Sequence, residues 1–451
     1  LAGVALAALA SASLGPRYGG EIVVGVVGSL APAGDAPRGQ AARLLHGLVH
    51  ETLVRTNDRD EVVPALAESV TASAGGRGFR LRLRADAVFH DGRRVTSHDA
   101  VRSLRAFLRG GSAAAEALAR SLDGGPAFSA GASQELPGLS APDERALDLR
   151  LVEAAPAALL PLAAANITSP GGAGCGPFVP LLAGTSRLAL SGFAPHARGR
   201  PYLDRLVLRS FDTLDALRHE RRGRRIDLAV GEPRQAALAA QLLLLLDKQA
   251  PPFDQSSVRE AVERALDRDS FKPPLLAGAV PSFGWLAPRA PSADAADPAK
   301  APEKLSAGIT LAVDDEIPPL ASQRVVAQLR EIGIRASVVP KPPSQALRER
   351  AAARLLLFVP QLREPALLLR ELALLSSAGA PAKDAIAAAE REASPERRRE
   401  HLERAEAALR AETACLPIAL LPIGFDARPG LHGVRIDVAG RVLLEDAWIE
   451  P

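Results

Sequence analysis

At 451 residues with 47% apolar content, the chain can bury more than one hydrophobic core, so disorder is excluded and two or three domains are expected. Lys and Arg exceed Asp and Glu by only 55 − 52 = 3, which gives no reason to propose nucleic acid as a partner. Two cysteines, Cys175 and Cys415, exclude a disulfide-rich scaffold and a cysteine-based zinc site, and sequence alone does not show whether they meet.

Residues 1–14 (LAGVALAALASASL) form an apolar, Ala-rich run too short to cross a bilayer. With the small-x-small pattern Ala10-Ser11-Ala12, they read as a signal-peptide remnant without its basic start, and an exported, soluble, periplasmic protein is expected. Residues 21–27 (EIVVGVV) make a continuously apolar strand that opens into the Gly/Pro loop 28–37. Residues 78–84 and 146–151 alternate apolar and polar positions and predict half-buried strands, with Arg80, Arg82 and Arg84 on a solvated face. Between them Thr96 and Asp99 predict a capped helix with Val101, Leu104, Phe107 and Leu108 inward.

Further along, Ser257 and Glu260 predict a capping box on a helix over 258–268, with Val258, Ala261, Val262, Ala265 and Leu266 buried. After a Pro/Ala-rich interval at 288–302, residues 309–313, 319–332 and 334–339 read as strand, helix and strand, hence a parallel pair. Ser394-Pro395 starts a charged helix to about residue 412, with Leu402, Ala405 and Leu409 inward.

Three patterns carry possible chemistry. His46 and His50, at i and i+4, share one helical face and could hold a cation, but no third ligand is recognisable and the arrangement lacks the HExxH glutamate. The glycines at 171, 172, 174 and 176 lead into Pro177 instead of a phosphate-binding helix. Cys175 has no partnering His that sequence identifies, so a small residue in a tight loop is expected in place of a nucleophile.

Taken in order, VVPALAE (62–68), FRLRLR (79–84), FHDG (89–92) and VTSHDAVRSL (95–104) resemble the signature of the family 5 extracellular solute-binding proteins. GCGPF (174–178), GRPYLD (199–204), IDLA (226–229), PPF (251–253) with VREA and ALDR, LPI (416–418) and EDAW (445–448) continue the resemblance. It implies an α/β, two-lobed periplasmic binding protein-like fold, type II and cluster C-like, with an extra domain inserted in the first lobe. The implied division is first lobe at 15–47, 169–240 and 424–451, insertion at 48–168, and second lobe at 241–423.

The implied function is that of the substrate-binding protein of an ABC transporter. It would capture a small peptide or peptide-like solute by lobe closure and deliver it to a membrane permease, as a monomer, without cofactor or catalysis. The alternatives are a metal or metal-chelate receptor using His46 and His50, and a hydrolase. Motif position implies that the solute meets loops containing Ser29, Asp35, Cys175, Phe178, Asp247, Phe358, Arg363 and Glu364. Glu364, before Pro365, stands where family members hold a ligand ammonium.

Overall fold

A computed structural model describes residues 15–31, 38–57, 59, 61–155, 157–182, 184, 186–286, 305–437 and 440–450. The leader at 1–14, Asp35 and the interval 288–302 lie outside them. The first lobe opens with β1 (Glu21–Val27) and α1 (Gln40–Val49). An excursion follows through β2 (Ala67–Ala72), β3 (Gly78–Leu83), α2 (Ser97–Arg109), α3 (Ala113–Ser121), β4 (Leu139–Asp143) and β5 (Ala146–Arg150). The chain returns through β6 (Phe178–Leu182), β7 (Arg187–Gly192) and β8 (Arg205–Phe211), then leaves along the long strand β9 (Leu228–Leu246). The second lobe contains α4 (Ser256–Ala265), β10 (Ala307–Asp314), α5 (Pro319–Glu331), β11 (Ile334–Lys341), β12 (Ala353–Phe358), α6 (Pro365–Leu375), α7 (Ala380–Arg391) and α8 (Pro395–Ala411). Strand β13 (Cys415–Ala427) leads back to the first lobe.

One sheet of order β6-β7-β8-β1-β9-β12-β10-β11 runs through both lobes, with β13 also pairing β9. β1 lies parallel to both β8 and the start of β9, while β9 meets β12 and β13 antiparallel. The five leucines Leu242 to Leu246 show why a continuous apolar run is required here. Leu242, Leu244 and Leu246 join a core with Phe253, Val262 and Leu311, whereas Leu243 and Leu245 join another with Trp285, Leu356 and Leu369. A strand covered on both faces buries every side chain, each contributing about 1.5–3 kcal/mol.

The excursion forms its own antiparallel sheet, β2-β3-β5-β4, whose inward Leu81, Leu83, Leu147 and Leu149 pack on Leu104, Phe107 and Leu108 of α2. The Thr96–Asp99 capping box is formed there as predicted. β10 and β11 are parallel, joined by α5, and Ser394 caps α8 with Leu402, Ala405 and Leu409 buried. The Ser257–Glu260 box is not formed: α4 begins at Ser256 with Gln255 as its N-cap and no side-chain cap bond. Buried Arg259 sets this start by donating to the carbonyls of Phe253 at 2.8 Å and Glu412 at 2.9 Å, so a tertiary anchor overrides the local capping preference.

The lobes share the β9–β13 ladder, and its register breaks where they meet. Val230 and Gln235 both face Phe425, which leaves residues 231–234 as a bulge. Gly424 is required beside it, because a Cβ there would sit 2.2 Å from the Gln235 carbonyl oxygen. Gly424→Val is expected to force the two strands apart and to destabilise the protein by about 1–3 kcal/mol, the usual range for overpacking. Urea denaturation checks this, and an unchanged midpoint would show that the crossing tolerates a side chain.

Candidate functional site

A cavity of about 130 Å³ lies between the lobes, walled on the first-lobe side by Arg43, His46 and His50 of α1 and its C-terminal end. Ala163 and Asn166 of the insertion form a second wall, Val359, Pro360 and Gln361 of the second lobe a third, and Asp437, Arg441 and Val442 close the base. Elements from both lobes and the insertion therefore converge on one space.

The motifs that carried the resemblance brace the elements around these walls. His90 donates its backbone N–H to the Gly174 carbonyl at 2.8 Å and places its ring nitrogen 3.0 Å from the Gly176 carbonyl. Gly176 in turn donates to Val49 at the end of α1 at 2.9 Å. A Cβ on Gly174 would lie 2.0 Å from the Val49 carbonyl oxygen, so the approach that fixes His50 requires glycine. Asp227 accepts from Val23 N–H at 2.7 Å and pairs with Arg428, tying β1 and β9 to the end of β13. Arg268 pairs with Glu263 at 2.8 Å and donates to the Pro417 carbonyl at 2.7 Å, which makes that motif a brace inside the second lobe.

Beside the cavity, the buried carboxylate of Glu51 meets Arg55 at 2.8 Å, Arg198 at 3.2 Å and the His196 ring at 3.4 Å. Burial opposes its ionisation, but these partners prevail and hold it below the usual carboxylate range. Glu445 of the EDAW segment completes the network through Arg55 at 2.9 Å. His46 is pushed down to about 3 by burial, with His50 and Arg441 adding to the effect, so its ring is neutral; its Nε2 meets the Asn166 amide nitrogen.

Both lobes touch across the cleft. Leu362 and Leu367 of the second lobe enter the hydrophobic core of the insertion, and Arg370 of α6 reaches Glu116 of α3 at 3.1 Å. Arg38 pairs with Glu371. Glu316, after β10, accepts the backbone N–H of Gln40 at the start of α1 at 3.0 Å. Burial and the neighbouring Asp314 push the Glu316 carboxyl up to about 8.

Sequence-derived positions fall elsewhere. Ser29 is exposed after β1, and Phe178 and Phe358 are buried in the cores of the first and second lobes. Cys175 is buried with its Sγ 3.5 Å from the Ile167 carbonyl, and burial pushes its thiol up. Cys175 and Cys415 are free thiols in different cores. Asp247 accepts from Gln249 N–H at the end of β9, and Arg363 is exposed before α6. Glu364 caps α6 by accepting from Leu367 N–H at 2.8 Å and pairs with Arg398. None of these seven lines the cavity, whereas His46 and His50 do, and Asp35 lies outside the described residues. Arg43, Asn166, Gln361 and Arg441 were missed, since polar residues on helices and loops carry no periodic or motif signal.

Two α/β lobes joined by crossing strands and enclosing a cavity between them define a two-lobed binding protein. The model of the bacterial extracellular solute-binding proteins, family 5 Middle, matches residues 61–356, and the chain belongs to that family. The fold is similar to the murein tripeptide binding protein MppA of Escherichia coli, with a TM-score of 0.82 and 19% identity over 95% of this chain and 98% of that one. It is similar to Haemophilus influenzae OppA in complex with RPPGFSPFR, with a TM-score of 0.84 and 14% identity over 96% of this chain and 100% of that one. It is also similar to Campylobacter jejuni NikZ in complex with Ni(L-His), with a TM-score of 0.73 and 15% identity over 92% of this chain and 96% of that one. No curated protein matches the sequence. Among the described residues no helix is long and apolar enough to cross a membrane, and no three metal-ligating side chains cluster.

The Glu316 contact sets a pH dependence. A carboxyl raised from 4.5 to about 8 binds its proton more tightly in this lobe arrangement, so stability contributed here is full below 4.5 and is lost as pH rises through 8. His46, lowered from 6.5, acts in the opposite sense below that value, leaving the interval between 6.5 and 8 for Glu316. The melting temperature is expected to fall across that interval, and Glu316→Gln to flatten the decline. An equal slope in the variant would assign the dependence to another group.

Proposed function

We propose that this family 5 solute-binding protein is the receptor of an ABC importer that captures a small peptide or peptide-like solute without turning it over. It acts in the periplasm as a single chain and hands its cargo to a membrane permease. In this reading residues 48–168 are the insertion and 241–423 the second lobe. The observation that carries the proposal is the cavity walled by both lobes and the insertion, beside the strand ladder that the two lobes share. Solute touching walls from both lobes favours their closure, so binding energy is converted into a shift of population that a permease can recognise.

The peptide complexes of similar folds support a peptide cargo. A specific observation favours a second reading, a metal chelate: the His46 and His50 rings stand 5.0 Å apart and both line the cavity. A chelate would have to bring its remaining metal ligands with it.

Thermal-shift measurement with dipeptide and tripeptide mixtures separates the two. Peptides at about one hundred times their Kd are expected to stabilise the protein by about 2.7 kcal/mol, with intact peptide recovered by mass spectrometry. Stabilisation only by nickel with free histidine would favour the chelate reading, and accumulation of cleaved peptide would overturn the receptor assignment.

A further inference from the structure

We infer that the solute is anchored through a carboxylate on Arg43, and that the site makes no demand for a ligand ammonium. This rests on the reading of the cavity as the solute site. The acids that line it, Glu51 and Asp437, are both committed. Glu51 is held by Arg55 at 2.8 Å and Arg198 at 3.2 Å. Asp437 is paired with Arg441 at 2.5 Å and also accepts the Arg441 backbone N–H at 2.8 Å. An incoming ammonium would have to share a carboxylate that these arginines already hold.

Arg43 is in the opposite position. Arg43 lines the cavity, and its guanidinium makes no hydrogen bond or ion pair with a described residue; Glu316, Asp314 and Asp437 act on it only through space, and Arg38 repels it. Burial is the largest influence and lowers its pKa to about 10, so it remains charged at neutral pH. Of the nearby acids, Glu316 is spent on the α1 backbone and, with its pKa at about 8, is largely protonated at neutral pH. Asp314 accepts from Glu316 N–H at 3.0 Å and Leu357 N–H at 3.4 Å.

The other two cations of the lining, Arg55 and Arg441, are already paired with Glu51 and Asp437. His46 is neutral, and Val359, Pro360 and Gln361 present only apolar and amide groups from the second lobe. A partly enclosed cation without a partner among the described residues, in a cavity whose other charges are already paired, is complementary to a carboxylate, which a guanidinium can grip through two parallel hydrogen bonds. For a peptide this group is the C-terminal carboxylate, and the N-terminus is left unread.

The test uses equimolar dipeptide mixtures in three forms, free, N-acetylated and C-terminally amidated, together with succinate and citrate. The fraction retained by the full chain after desalting is read by mass spectrometry. Wild type is expected to retain free and N-acetylated dipeptides alike and to reject the amides. Arg43→Gln, with a melting temperature close to wild type, is expected to bind at least about thirty-fold more weakly, the lower end for truncating one partner of a buried hydrogen-bonded charge pair. Should Arg43→Gln fail to fold, Arg43→Lys replaces it and is expected to bind free dipeptides more weakly than wild type while still rejecting amides. Arg43-dependent retention of succinate or citrate without any dipeptide would retire the peptide reading and leave this inference standing. Retention of amides as well as acids, binding indifferent to Arg43, a requirement for a free amine, or retention of none of these anions would overturn it.

Discussion

The ladder between β9 and β13 is the constraint on which the molecule depends. It runs from Leu228 opposite Ala427 in the first lobe to Leu245 opposite Cys415 in the second, so both lobes hang on one set of backbone hydrogen bonds. Breaking such a ladder in a buried setting would orphan donors and acceptors at a cost of roughly 1–3 kcal/mol for each group. The ladder therefore keeps the lobes from parting, and its regular pairing is interrupted at register breaks near residues 231–234, 239 and 242. Ala240, Ile423 and Val359 form a small separate core by that stretch, and Val359 also lines the cavity. One side chain thus belongs to both the crossing and the binding space.

Around that crossing, charge is organised by burial. Glu51, Arg55, Arg198 and Glu445 come from the start of the insertion, the first lobe and the C-terminal segment, and their mutual pairing draws three stretches distant in sequence into one wall. Buried ion pairs contribute little net stability against an apolar alternative, yet removing one member is costly, which suits them to fixing geometry. The glycines at 174 and 176 do the corresponding work without charge, admitting the end of α1 to a distance that any side chain would forbid.

Much of the scaffold was legible because its signals are local. Alternation at 78–83 and the Thr96–Asp99 box survive folding since nothing distant competes with them. At Ser257 a distant competitor exists: Arg259 bonds to Glu412, more than a hundred residues away, and moves the helix start. The leucines of β9 give neither a helical nor a strand period, so the strand that unites the lobes left no readable pattern. At the site, motif position led to loops whose apolar members, Phe178 and Phe358, are anchored in cores beside it. Glu364 looked like a ligand contact because a carboxylate before proline has two possible uses, and here it caps a helix. Arg43 is one of many arginines on amphipathic helices, and only the placement of its neighbours distinguishes it.

Leu362 and Leu367 carry a consequence that reaches beyond the cleft. Each is almost wholly buried within the core of the insertion, although both belong to the second lobe. Any rotation that opens the cleft must hand these two side chains to water, at about 1.5–3 kcal/mol each if fully exposed. An opened molecule would also show its neighbours a fresh adhesive spot. The same two leucines that join the lobes would then be the place where opened molecules associate, which ties the closed arrangement to the protein's colloidal behaviour.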